Sequence, residues 1–173
     1  MRLKEAFNIT ADDEGQGVYI SLGVKSSSAE RIVESLSALL GGDMLDKDDM
    51  HVTMMYDEEG EVPRGFIMRD GIMEYSGEYG VELFGDEKNV LVLTLETPSE
   101  IDKRHNRLSA YGLNHSYKDF RPHITLSYDF STENKASNIL EIIKEAANQR
   151  IGKIQLSGER ISRVVKNWAD DKK

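Results

Sequence analysis

Two stretches that read histidine, apolar residue, threonine constrain this chain more than any other feature of its sequence. His51-Val52-Thr53 and His123-Ile124-Thr125 lie about seventy residues apart and contain two of the four histidines. Each stretch belongs to a segment in which polar and apolar residues alternate, which indicates a strand with one buried face. The sequence therefore predicts two strands that each present an imidazole and a threonine hydroxyl on the same face.

The alternation continues past both motifs and assigns two tyrosines to the interior. The predicted core-facing residues are Val52, Met54 and Tyr56 in the first strand and Ile124, Leu126 and Tyr128 in the second. A side-chain period of two puts these residues on the face opposite the histidines and threonines. We therefore expect Tyr56 and Tyr128 to pack in the core.

The rest of the chain predicts further strands and three helices. Residues 18–24 alternate as a strand, and a helix follows with Ser27 and Glu30 at capping-box spacing. Residues 72–84 read as one strand interrupted at Gly77 and Gly80, joined through a hairpin turn to a strand at 90–96. The remaining predicted elements are a helix from residue 99, a helix after residue 132, and two short strands within 151–165 that bend near Gly158.

This order of elements predicts an α+β fold built from two similar halves. Each half contains a strand, a helix and a His-x-Thr strand, and no linker separates the halves. We expect a single domain over residues 1–173, with lobes at roughly 18–97 and 98–165 and a charged tail at 166–173. Largely antiparallel sheet would carry helices on one face and form a central cleft on the other.

Charge and composition narrow the class of ligand. The net charge is −9, whereas proteins that grip long nucleic acid need a basic surface. We therefore expect no long nucleic acid partner, and any phosphate ligand to be small. The chain has no cysteine, which excludes disulfides and thiolate chemistry. No apolar run reaches the length of a membrane span and the N-terminus lacks a signal-peptide core, so we expect a cytosolic protein without a membrane partner.

Two histidines in one cleft suit the cleavage of a phosphodiester. Histidine titrates near neutral pH, so one imidazole can accept a proton from the attacking oxygen while the other protonates the leaving oxygen. Hydroxyls of Thr53 and Thr125 would donate to the non-bridging phosphate oxygens. The acidic loop at 57–61 has no ligand histidine at useful spacing, so we interpret it as a solvated turn and expect neither metal nor cofactor.

The paired motifs resemble those of the 2H phosphoesterase superfamily. The resemblance rests on His51-Val52-Thr53 and His123-Ile124-Thr125 and covers essentially the whole chain by element order. It implies a bilobal α+β fold in which both histidines and both threonines meet in a central groove and act without a metal.

The opening strand, Gly17 to Gly23, and the tail with the lone Trp168 resemble the phage-encoded anti-CBASS phosphodiesterases. Those enzymes degrade the cyclic di- and trinucleotide signals of bacterial antiphage defence. The resemblance implies a small cyclic nucleotide substrate and action in the cytoplasm of a host bacterium.

Five further residues are candidate substrate contacts. Tyr19 lies opposite the apolar face of its strand, so it either stacks on a base or packs locally. Trp168 would stack likewise if the tail covers the groove. Arg121 shares the face of His123, and with Lys118 it offers a local positive patch. Glu159 near the predicted bend either orients an imidazole or nucleotide, or faces solvent.

The remaining two histidines are weaker candidates for catalysis. The sequence also leaves two alternative functions open. His105 falls on the apolar stripe of the second helix, which predicts a half-buried histidine with its hydrogen bonds satisfied, and His115 has no evident partner. One alternative is a 2H enzyme acting on RNA 2′,3′-cyclic phosphates or 2′–5′ linkages. The other is a module that sequesters cyclic nucleotides without cleaving them. The sequence leaves open which histidine is the acid, and whether the chain is a monomer or a small homo-oligomer.

Overall fold

A computed structural model describes residues 17–164, which form one seven-stranded sheet with three helices. The strands are β1 Val18–Val24, β2 His51–Asp57, β3 Met73–Tyr75, β4 Tyr79–Phe84, β5 Val90–Leu95, β6 His123–Ser127 and β7 Ile154–Ser162. The helices are α1 Ser26–Leu40, α2 Glu100–Ala110 and α3 Ile139–Arg150, with short 3-10 turns at Gly41–Asp43 and Lys47–Asp49. The predicted α+β class is confirmed.

The strand order β3-β7-β1-β2-β6-β5-β4 divides the sheet into two parts. All neighbouring strands are antiparallel, and β2 pairs with β1 over most of its length while β6 does so with β5. In contrast, β2 and β6 share a single register pair, Val52 opposite Ile124. The sheet is therefore joined at its centre by the two motif strands, which separate on either side of that pair.

Apolar side chains from both parts of the sheet share one core with the helices. Val52 and Ile124 are completely buried at the junction, as is Ile101 of α2. Helices α1 and α3 pack against each other, α3 also packs on β4, and α2 packs against β2 and β3. No helix within residues 17–164 is long and apolar enough to cross a membrane.

The helix starts differ from the prediction. The capping box expected at Ser27 and Glu30 is wrong, because α1 begins at Ser26 after the N-cap residue Lys25 and has no side-chain cap. The hydroxyl of the neighbouring Ser28 accepts the N–H of Gln155 in β7. A capping box does begin α2, where Ser99 and Asp102 exchange side-chain and backbone bonds.

Two strand predictions also need correction. Residues 72–84 form not one strand but β3 and β4, which lie at opposite edges of the sheet. Within residues 151–164 the structure has one strand in place of the two short strands predicted, because β7 runs unbroken. Its pairing with β1 shifts register opposite Gly23. Gly158 has a packing role there, since a Cβ at that position would lie 2.7 Å from the Asp70 carbonyl oxygen.

Candidate active site

The two His-x-Thr motifs lie side by side at the junction of β2 and β6. Because Val52 is paired with Ile124 in antiparallel register, His51 is opposite Thr125 and Thr53 is opposite His123. Directly opposed residues have Cβ atoms about 5 Å apart, and diagonal neighbours such as the two histidines about 7–8 Å. The four side chains are half-buried and lie on the face opposite the buried Val52 and Ile124. The structure thus brings together two motifs that are distant in sequence.

Both imidazoles are oriented in the same way. His51 Nδ1 lies 2.8 Å from the Asp49 carbonyl oxygen, and His123 Nδ1 lies 2.8 Å from the Arg121 carbonyl oxygen. A carbonyl can only accept, so each Nδ1 carries a hydrogen. In the neutral ring Nε2 then holds the lone pair and can accept a proton.

The environment of His123 favours its neutral form. Burial lowers the pKa of His123 below that of an ordinary histidine, and the nearby His51 lowers it further. Two imidazolium ions this close repel each other, so protonation of one disfavours protonation of the other. The pair is therefore suited to hold one proton between two rings.

Each motif threonine has a tyrosine hydroxyl as a partner. The Tyr19 hydroxyl lies 3.0 Å from Thr53 Oγ1, and Tyr128 hydrogen-bonds the side chain of Thr125. Burial raises the pKa of Tyr19 to about 12, so its hydroxyl stays neutral. These contacts fix the rotamers of both threonine hydroxyls beside the imidazoles.

The prediction that Tyr56 and Tyr128 face the core is wrong for both, and for the same reason. A register shift follows each threonine: Met54 is the extra residue in β2, and Leu126 is the extra residue in β6. Such a β-bulge shifts the alternation by one residue. Both tyrosines consequently return, half-buried, to the face that carries the histidines. Sequence alternation alone gave no sign of either bulge.

A wedge of three rings, His105, His115 and Phe120, occupies the gap where β2 and β6 separate. His105 Nδ1–H donates to the Met54 carbonyl at 2.7 Å, and the Tyr56 N–H donates to His115 Nδ1 at 3.2 Å. The Phe120 ring stacks on His105 with centroids 3.7 Å apart, and the His115 ring lies 5.2 Å from His105. These histidines thus make hydrogen bonds to the edge of β2 that a neighbouring strand would otherwise make.

Both wedge histidines are held neutral by burial. Burial lowers the pKa of His105, and together with the nearby His105 it lowers the pKa of His115 to about 4. His105 is therefore the satisfied histidine that the apolar stripe of α2 indicated. The sequence showed no partner for His115 because its hydrogen bond is to the Tyr56 N–H in β2, more than fifty residues away.

In the predicted positive patch, Arg121 contacts other side chains of the protein. Arg121 is exposed, pairs with Glu82, and places its guanidinium 5.3 Å from the centroid of Phe84. Phe84 in turn meets His123 edge-on at 4.9 Å, a neighbour that sequence reasoning missed. Lys118 lies exposed in the loop before β6.

Glu159, another predicted contact, is buried and bonded to residues other than the histidines. The expectation for Glu159 is wrong: its side chain is completely buried and bonds Arg104 at 2.7 Å and the N–H of Arg69 at 2.8 Å. A buried carboxylate needs such a partner, and Arg104 provides it from α2. Trp168 and the rest of the predicted tail lie outside the described residues.

The acidic loop after β2 is only partly solvated. Asp57 is buried, and its carboxylate accepts the N–H groups of Glu59 and Asn114. Within residues 17–164 no group of three or more histidine, cysteine or acidic side chains is arranged to hold a metal ion.

Comparisons with known proteins identify relatives of the chain and of its fold. A model of the family described as "Anti-CBASS protein Acb1" matches residues 16–171. The Acb1 protein of Vibrio phage KVP40 is 29% identical over 117 residues, which cover 67% of this chain and 75% of that protein. The Acb1 protein of Yersinia phage phiR1-RT is 23% identical over 165 residues, which cover 95% of this chain and 99% of that protein.

Solved structures share the fold at low sequence identity. E. coli LigT in complex with 3′-AMP has a TM-score of 0.54 at 17% identity, covering 86% of this chain and 87% of LigT. A crystal structure described as a phosphoesterase gives a TM-score of 0.54 at 15% identity, covering 89% of this chain and 91% of that chain. The predicted 2H phosphoesterase fold is thereby confirmed.

Proposed function

This chain belongs to the Acb1 family of anti-CBASS proteins and is a phosphodiesterase of the 2H fold; we propose that His51 and His123 hydrolyse the 3′–5′ phosphodiester bonds of small cyclic oligonucleotides. The observation that carries the proposal is the antiparallel pairing of the two motifs, with Val52 opposite Ile124. In the proposal, one phosphate binds among the two imidazoles and the two threonine hydroxyls that this register supports as neighbours.

The two histidines take different roles in this proposal. His123, whose pKa is lowered by burial, is the general base in this proposal, and its Nε2 accepts the proton of the attacking water or ribose hydroxyl. The attacking oxygen forms a bond to phosphorus while the bond from phosphorus to the leaving oxygen breaks. His51, protonated at both ring nitrogens, donates the Nε2 proton to that leaving oxygen.

The threonines stabilise the charge that develops during this step. Hydroxyls of Thr53 and Thr125 donate to the non-bridging oxygens, whose negative charge grows in the transition state. Tyr19 and Tyr128 hold these hydroxyls in place, so little reorganisation is needed when the substrate arrives. No cofactor enters the proposed chemistry.

The proposed substrate is small, and the proposed place of action is the cytoplasm of an infected bacterium. The net charge of −9 opposes binding of long nucleic acid. A cyclic di- or trinucleotide brings only a few phosphates into the groove. The relatives from Vibrio and Yersinia phages support a phage source, and CBASS signals arise inside the infected cell.

The test is product analysis after incubation with a panel of cyclic di- and trinucleotides in excess EDTA. The unmodified chain is expected to give linear products, whereas H51N/H123N is expected to leave the substrates intact. RNA ending in a 2′,3′-cyclic phosphate serves as the competing substrate. Faster turnover of that RNA than of every cyclic oligonucleotide would reject the proposed substrate class. Binding without turnover by the unmodified chain would instead establish sequestration.

A further inference from the structure

Tyr117 is an exposed aromatic residue that continues the aromatic lining of the cleft. The residue is 61% exposed, yet its ring centroid lies 5.7 Å from that of Tyr56. Tyr56 lies 6.1 Å from Tyr19, whose ring is 6.4 Å from the imidazole of His51. A line of rings therefore runs from His51 to the protein surface.

The loop that carries Tyr117 is bonded to β2, so the position of the ring is set by the fold. The Ser116 N–H donates to the Tyr56 carbonyl at 2.7 Å, and the Ser116 hydroxyl accepts the Glu58 N–H at 3.0 Å. The preceding His115 accepts the Tyr56 N–H. A loop ordered in advance loses little conformational entropy when a ligand binds.

We propose that Tyr56 and Tyr117 form a stacking subsite for a nucleobase of the substrate, at the end of the cleft that Tyr56 lines. The subsite rests on the proposed function and adds to it a determinant of substrate affinity. Tyr56 supports Tyr117 from within the cleft, while most of Tyr117 stays open to solvent. An exposed aromatic face next to a phosphate site binds bases by stacking, with little dependence on base identity.

The corresponding place in the second half of the sheet is built differently. Tyr128 is the counterpart of Tyr56, but its hydroxyl bonds Thr125. The ring beside His123 is Phe84, and the Arg121 guanidinium lies over it. The two bases that flank a scissile phosphate therefore meet different surfaces, and one of them meets the open ring of Tyr117.

Steady-state kinetics with a cyclic dinucleotide test the subsite. Y117A is expected to raise KM by ~5- to 150-fold, the range that base–aromatic stacking gives on alanine substitution, with kcat unchanged. Y117F keeps the ring and is expected to restore KM. I67A is the matched control, because Ile67 is 74% exposed and lies outside the aromatic line. An unchanged KM in Y117A overturns the subsite.

A binding measurement separates failure of the subsite from failure of the proposed function. A cyclic dinucleotide containing 2-aminopurine is titrated into H51N/H123N, with and without Y117A. Stacking is expected to quench the 2-aminopurine fluorescence, and Y117A to abolish the quenching. Equal quenching with and without Tyr117 overturns the subsite while turnover by the unmodified chain still supports the function. If the unmodified chain turns over no cyclic dinucleotide, both proposals fall.

Discussion

Strands β2 and β6 are built alike inside the cleft and differently at their outer edges. Both carry a histidine held by the carbonyl two residues earlier, a bulge after the threonine, and a tyrosine returned to the cleft face. At its edge β2 contacts the His105–His115–Phe120 wedge, whereas β6 accepts a backbone bond from Leu45. The shared parts position reacting groups, and the edges make the two halves unequal.

In the proposed mechanism, a nearly symmetric pair of motifs performs an asymmetric reaction. Acid–base catalysis needs one neutral and one protonated imidazole at the same pH. The same kind of backbone carbonyl holds both rings, so these hydrogen bonds do not give the two histidines different roles. Phe84 packs edge-on against His123, and burial of His123 lowers the pKa of that ring.

The largest effects are expected from the histidines themselves. H123N and H51N are each expected to lower kcat by roughly 10²–10⁴, because each removes one proton transfer. The pH profile should distinguish them: H123N loses the limb on the acid side, and H51N the limb on the alkaline side. In the unmodified chain the acid-side limb should lie below the pKa of an ordinary histidine, as burial of His123 requires. Loss of the same limb in both variants would reject the assignment of roles.

The threonines test whether the two halves contribute equally to the transition state. T53V and T125V keep the side-chain shape and remove the donor, so each is expected to lower kcat by about 10²-fold. KM should change little, because the hydrogen bonds strengthen as charge develops. T132V, which makes the same change at an exposed threonine in the loop before α3, is a control for general effects on folding. A drop in only one of the threonine variants would mean that the phosphate is held from one side.

The wedge is expected to stabilise the edge of β2, whereas the edge of β6 is stabilised by the backbone bond from Leu45. H105L leaves the buried Met54 carbonyl without its donor, which should cost about 1–3 kcal/mol in free energy of unfolding. H105N places an amide N–H near the position of Nδ1 and should lose less. Urea unfolding of both variants makes the comparison. Equal losses would show that ring packing against Phe120, and not the hydrogen bond, is what matters.

The smallest effect concerns the pH dependence of stability. The pKa of His115 is about 4 in the folded chain, against 6.5 for an ordinary histidine. Between these values the unfolded chain binds a proton that the folded chain does not, so stability falls as the pH drops from 6.5 towards 4. H115N keeps an acceptor for the Tyr56 N–H and cannot titrate, so it should flatten that slope. An unaltered slope in thermal unfolding across this range would contradict the account.

Local sequence pattern was sufficient for the reacting residues but not for their surroundings. A histidine and a threonine two positions apart must share a strand face, so their presentation follows from the period of two alone. Tyr56 and Tyr128 were misplaced because one inserted residue in each strand reverses the alternation. Glu159 was misplaced because its partner, Arg104, is distant in sequence and reaches it only through the packing of α2.

By itself, the sequence determined the α+β class, the two motif strands and the family that they resemble. These depend on alternation, spacing and residue type, which are properties of short segments. Tertiary structure alone decided that Val52 would lie opposite Ile124, that three rings would fill the gap beside β2, and that burial would lower the pKa of His123. Register, burial and pKa arise from contacts between distant segments, and no local pattern encodes them.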